Sequence, residues 1–199
     1  MHISEGILPA WSLGTGALLA LPGIYVGFKQ LTPQKMPETA LLTAGFFVAS
    51  LIHVPIGPTS AHLILNGLVG IILGWRAMPS IFIALLLQAI LFQFGGLTTL
   101  GVNTVTMGFP AVLAYIVSRR LIAVEHKLRS SIMGGLTAGL TVLVSGLITA
   151  LFLATAGEGF FLASKLLLSA HIPIAIVEGI ITSFIIKGLL KIKPEVLVK

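Results

Sequence analysis

Long apolar runs alternate with short polar breaks along the whole chain, and the runs have the length that a bilayer demands. A spanning helix needs roughly 17–25 mostly apolar residues, and seven stretches meet or approach this, at about 10–28, 37–54, 60–75, 79–97, 101–118, 131–156 and 163–190. The third is short and holds Asn66; the fifth holds Asn103 and Pro110. The breaks are brief and carry neither a tandem repeat nor the pattern of a soluble domain. The sequence predicts an all-α membrane protein, with residues 1–199 forming one bundle of about seven transmembrane helices.

Composition and charge sharpen that picture. Hydrophobic residues make up 56% of the chain and charged residues 9%, against about a quarter charged in soluble domains. There are 12 Lys and Arg against 6 acidic residues, all of them Glu. The basic residues sit at segment ends and form no basic face, which excludes a nucleic-acid partner. Seven spans put the termini on opposite sides. An N-terminus outside and a C-terminus in the cytoplasm assign Lys29, Lys35, Arg76, Arg119, Arg120, Lys127, Arg129, Lys187, Lys191, Lys193 and Lys199 to the inner side. Only Lys165 is left outside, as the positive-inside rule requires. The first residues lack a basic n-region, and no clear cleavage site follows, so no removable signal peptide is expected.

Candidate chemistry gathers on the outer side. His2 and His62 fall in or beside outer segments, and His53 lies at the outer end of the second stretch. His126 belongs to the cytoplasmic loop RRLIAVEHKLR, where a solvated side chain is the expectation. His171, just before Pro173, and Glu178 lie within the last stretch. Ionisable groups at membrane depth are rare and tend to be functional, although a histidine hydrogen-bonded at a helix end is the plainer reading of His53 and His171. With no Cys, any metal must be held by nitrogen or oxygen.

The opening MHISEGILP has a chemistry of its own. The α-amine of Met1, the amide nitrogen of His2 and the Nδ1 of His2 can close a five-membered and then a six-membered chelate ring on one ion. The amine loses its proton readily, because its ordinary pKa is about 8. A fourth nitrogen would complete a square plane, a geometry suited to Ni(II) or Cu(II), with Co(II) possible. A second segment, HVPIGPTSAHLILNG (53–67), holds helix-breaking Pro55, Gly57 and Pro58, and irregular backbone at membrane depth is tolerated where it lines a cavity. Thr59, Ser60 and His62 supply polar groups there. A third, QFGGLTTLGVNTVTM (93–107), brings Thr98 and Asn103 to the same side, and its glycines permit close backbone approach. Groups of this kind orient metal-binding histidines. Each segment taken singly also reads as an ordinary turn or as polar groups satisfying one another.

Together MHISEGILP, HVPIGPTSAHLILNGLVG and FQFGGLTTLGVNTVTMG resemble the CbiM/NikM family, the substrate-capturing membrane subunits of energy-coupling-factor importers for cobalt and nickel. The resemblance runs over nearly the whole chain. It implies metal ligands at the amine of Met1, the amide and imidazole of His2 and the imidazole of His62, with His53 the alternative for the fourth position. Residues 1–9 would then form a metal-binding segment inserted into the bundle from outside, with Thr59, Ser60, Thr98 and Asn103 orienting the ligands. It further implies a multi-pass protein of the prokaryotic plasma (inner) membrane that takes up Co(II) or Ni(II) and has no resident cofactor. Its expected partners are a T-type transmembrane subunit, paired ATPase subunits and a small accessory membrane protein, the last a separate chain here. The pair Gly135 and Gly139 in the sixth stretch suits either a partner helix or packing within this chain.

Two other functions fit less well. A vitamin-capturing subunit would want an aromatic-lined pocket, and the chain has two Trp and two Tyr. An intramembrane enzyme would need a nucleophile with an oriented base. Ser60 and His62 have no adjacent acid, and neither an H-E-x-x-H nor a G-x-S-x-G motif occurs.

Overall fold

The computed structural model describes residues 2–56 and 59–197, leaving aside the side chains of 54–56 and 59. Its helices are α1 (Ala10–Lys29), α2 (Met36–Ala49), α3 (Asn66–Leu73), α4 (Ala77–Phe92), α5 (Leu100–Leu121), α6 (Lys127–Ala154) and α7 (Phe161–Ile192). Between α2 and α3 lies one antiparallel pair, β1 (His53–Ile56) and β2 (Thr59–His62). Among the described residues, five helical stretches are long and apolar enough to cross a bilayer: Ala10–Lys29, Asn66–Phe92, Leu100–Leu121, Val124–Ala154 and Glu158–Ile192. Leu18, Leu41, Leu151 and Phe184 stay exposed on the outside of the bundle, as side chains that face lipid do.

Seven α-helices are present where about seven transmembrane helices were expected, but five stretches among the described residues are long enough to span, and two boundaries are corrected. The stretch expected at 37–54 ends as a helix at Ala49, and the stretch expected from 60 becomes helical only at Asn66. Proline lacks the N–H that a continuing helix needs, and the backbone around Pro55 turns to a ladder with His53 opposite His62 and Pro55 opposite Ser60. Residues 66–92 are two legs and not one straight rod. Gly70 lies against Ala111 and Gly74 against Tyr115, so α3 runs parallel to α5; four residues later Met78 lies against Gly108, so the chain has turned back. The reversal is made at Gly74, where φ is +61° and ψ −131°. Eight residues of α3 rise only about 12 Å, which leaves its beginning inside the bundle, where the hairpin meets it.

A buried cluster of Phe46, Ile64, Leu68, Ile72, Leu85, Met107 and Val142 surrounds α3. Gly135 abuts the carbonyl of Gly179 and the side chain of Ser183, and Gly139 abuts the carbonyl of Ala175. The small residues of α6 are therefore used within the chain, letting α6 and α7 approach closely enough for Ser131 and Ser183 each to donate to the other's carbonyl, at 2.6 and 3.0 Å. At the opposite end from His2, buried Arg76 meets Glu38 at 3.0 Å and receives support from the hydroxyl of Thr39 at 3.0 Å. That pair ties α2 to the turn between α3 and α4.

Candidate metal site at the N-terminal segment

The first residues do not hang in solvent. His2 and Ile3 are buried, and Ile3 packs with Leu8 and Val102. Asn103, on the first turn of α5, grips Ile3 twice: its Oδ1 accepts the Ile3 N–H at 2.9 Å and its Nδ2 donates to the Ile3 carbonyl at 3.2 Å. The Nδ2 also reaches the Thr99 hydroxyl at 3.2 Å. Two residues on, the Glu5 N–H donates to the carbonyl of Gly95, and the Glu5 carboxylate accepts the Thr98 N–H at 2.9 Å. Gly95 and Gly96 have φ of +73° and +146°, a backbone that side-chain-bearing residues rarely adopt. A Cβ on Gly96 would collide with the Glu5 side chain, and one on Gly95 would lie 2.8 Å from the Asn103 amide nitrogen. The two glycines make the slot in which the segment lies.

The hydrogen bonds fix which ring nitrogen of each histidine carries the proton. Gln88 on α4 donates from Nε2 to the Phe47 carbonyl at 3.2 Å and to the Ser50 hydroxyl, so its Oε1 faces His2. The Nε2–H of His2 donates to that oxygen at 2.8 Å, and the lone pair of His2 is on Nδ1, the atom that a chelate with the amide nitrogen requires. His62 is fixed the other way round. Its Nδ1–H donates to the Leu63 carbonyl at 2.8 Å, and its Nε2, fully buried, has no hydrogen-bond partner among the described residues. The two rings lie face to face with centroids 4.7 Å apart. Burial lowers the imidazoles of His2 and His62 to about 4 each, the Gln88 and Leu63 hydrogen bonds acting weakly in the opposite direction. Both are neutral near pH 7, as a ligand must be.

His53 sits opposite His62 in the ladder and yet stands apart from it chemically. It is exposed, is bonded to the Leu51 carbonyl at 3.1 Å and has the ring of Phe94 edge-on at 4.4 Å, with Phe94 also beside His2. His126 is exposed, in line with a solvated loop residue. Asn103 holds the backbone of Ile3, the residue after His2. Thr98 is corrected: its side chain is exposed, and it contributes its backbone N–H to Glu5 because it heads the turn before α5. Ser60 is half-buried two positions before His62 on the same face of β2, and no hydrogen bond joins it to His62 among the described residues. Met1 and the side chain of Thr59 lie outside the described residues. Among those residues no three His, Asp or Glu side chains converge.

Gln88 and Glu5 escape the sequence reading, and Glu178 appears there only without a partner. Gln88 is a lone amide within the apolar ALLLQAILF, and that isolation was its one visible signal. Glu5 follows His2 by three residues. Buried in α7, the Glu178 carboxylate accepts the N–H groups of Ile64 and of Leu65, the latter at 3.0 Å. Those N–H groups precede α3 and have no helical acceptor, and Leu65 turns the corner with φ of +55°. Glu178 thus anchors the hairpin's exit just beyond His62.

Comparison with known proteins accords with this geometry. The family model described as the cobalt uptake substrate-specific transmembrane region matches residues 2–196. A putative metal transport protein of Haemophilus influenzae is 42% identical over 199 residues, covering 99% of this chain and 97% of the relative. A putative fused cobalt transport protein CbiMQ of Methanocorpusculum labreanum is 33% identical over 218 residues, covering all of this chain and 36% of that longer protein. The crystal structure of a transition metal transporter superposes with a TM-score of 0.82 at 27% identity, covering 96% of this chain and 93% of the other. The chain belongs to the CbiM family of cobalt and nickel transport components, multi-pass proteins of the prokaryotic plasma membrane.

Proposed function

We propose that this chain is the substrate-binding subunit of an energy-coupling-factor importer, capturing Co(II) or Ni(II) from outside. The ion is held by the α-amine of Met1, the amide nitrogen and Nδ1 of His2, and Nε2 of His62. The observation that carries this reading is the complementary locking of the two rings: His2 is left with Nδ1 as its acceptor and His62 with Nε2, both buried and the latter unpartnered. Four nitrogens in one plane suit Ni(II) or Cu(II), with Co(II) possible, and disfavour Mg(II), Ca(II) and tetrahedral Zn(II). His53, exposed and screened by Phe94, is the weaker claimant to the fourth position. Asn103, Gln88 and Glu5 hold the segment so that the chelate is largely pre-formed.

Inward release is driven by paired ATPase subunits through a T-type membrane subunit, with a small accessory membrane protein assisting. A relative whose cobalt-transport segment is fused into a longer transport polypeptide supports such company. The decisive experiment adds two residues, Gly-Ser, ahead of Met1. Tight Ni(II) and Co(II) binding to the purified protein should vanish while its thermal unfolding and monodispersity stay unchanged. Tight binding that survives the extension would sink the mechanism.

A further inference from the structure

His171 is a second buried imidazole that the N-terminal site does not use. It lies on α7 at 0% exposure, its Nδ1–H donates to the Leu167 carbonyl at 2.6 Å, and its Nε2 has no partner among the described residues. Asn66, at the start of α3, is likewise 0% exposed. Its amide nitrogen is spent on the Met107 carbonyl at 2.9 Å and the Ser145 hydroxyl at 2.8 Å, and its Oδ1 is left unpartnered. The two flank one turn of α6, because Asn66 bonds Ser145 while the ring of His171 packs against the next residue, Gly146. His62 stands four residues before Asn66, and the bonds from the Ile64 and Leu65 N–H groups to Glu178 hold the intervening chain against α7, two turns along from His171. Three buried side chains in one neighbourhood therefore present lone pairs, and among the described residues no donor meets them. Buried acceptors without donors are rare, and what meets several such lone pairs at once is a bound water or a cation.

We infer that His171 Nε2 and Asn66 Oδ1, with His62 Nε2 shared between the two positions, form a transit site deeper in the bundle that takes Co(II) or Ni(II) from the N-terminal chelate. The inference rests on the capture reading above. Its donors are neutral and few, so it holds a dication weakly, and a step along a path must release what it receives. His62 is suited to the transfer because its free nitrogen serves both neighbours without a change of tautomer.

The test separates this site from the capture site. His2→Ala removes the chelate and leaves His62, Asn66 and His171 in place. Equilibrium dialysis of that variant in nanodiscs against Co(II) chloride should show one residual equivalent, about a hundredfold weaker than in the unmodified protein. Adding His171→Asn should abolish it. Asparagine places an N–H where Nδ1 was, so the bond to Leu167 and the fold survive while the second nitrogen is lost; an unchanged melting curve checks this. His171→Asn alone should keep tight Co(II) binding within about twofold and lower cellular Co(II) accumulation about tenfold or more. The inference is overturned if His2→Ala binds no Co(II), if its residual binding survives His171→Asn, or if His171→Asn alone abolishes tight binding. Failure of the capture reading would show elsewhere, as tight binding retained by the Gly-Ser-extended protein.

Discussion

The two halves of the proposed metal site are held by opposite means. On one side the terminal segment is irregular backbone gripped by side chains: Asn103 on Ile3, Gln88 on His2, and Glu5 reaching back to Thr98. On the other side His62 sits in a regular two-stranded ladder whose exit is clamped by a single carboxylate, Glu178. The first arrangement allows fine adjustment of one ligand at the cost of many specific partners. The second gives a stiff platform that depends on few. Substitutions on the first side should change metal affinity with the fold intact, whereas the key substitution on the second should loosen the fold itself.

The largest effect expected is that of pH. Amine and amide each give up a proton on binding, so affinity should fall about a hundredfold per unit as pH drops below the amine's ordinary pKa of about 8. His2 and His62 add nothing to that slope until pH nears 4, because burial keeps them neutral. Ni(II) competition titrations at several pH values check this; a steeper fall with a bend near 6.5 would show that His2 is not held neutral. Stability follows the same linkage. Both folded-state pKa values lie below the ordinary 6.5, so the unfolded chain takes up protons first and stability declines as pH falls from 6.5 toward 4.

Next comes Gln88→Leu, which strips His2 of the acceptor that fixes its tautomer and should weaken Ni(II) binding about 10- to 100-fold. Gly96→Ala, which forces Glu5 out of its slot, should cost about tenfold, by the same titration. Glu178→Leu is the contrast. Leaving the Ile64 and Leu65 N–H groups buried without an acceptor should cost about 1–3 kcal/mol of stability, visible in thermal unfolding. If Glu178→Leu lowered affinity with stability untouched, the two halves would not differ as described. Smallest of all, His53→Ala should alter Ni(II) affinity by less than about twofold, since its ring lies outside the ligand set.

Much of the fold was legible because apolar length is a strong signal: α1, α5, α6 and α7 fall close to the runs that announced them. Residues 50–65 were harder. Their apolar residues continue those of α2, and only the Pro and Gly at 55, 57 and 58 warned of the break, without saying that the chain would pair with itself. The reversal at Gly74 had no such warning, for glycine is frequent in membrane helices. Within the proposed site, the terminal chelate could be put forward from two residues alone, since its donors would be consecutive. Gln88 and Glu178 could not, because their partners lie 86 and 114 residues away and, for Glu178, are backbone N–H groups that every residue but proline possesses.

On the proposed reading, the pocket that buries Ile3 would set a residence time. For a captured ion to slip back outward, the terminal segment must lift, exposing Ile3, and leaving an isoleucine in water costs about 1.5–3 kcal/mol. That alone makes the open form about 10- to 150-fold rarer than the closed one, before any coordination bond is broken. If the segment captures the ion as proposed, it is also the valve against its escape, and backward leakage becomes a question of how often one side chain leaves its pocket.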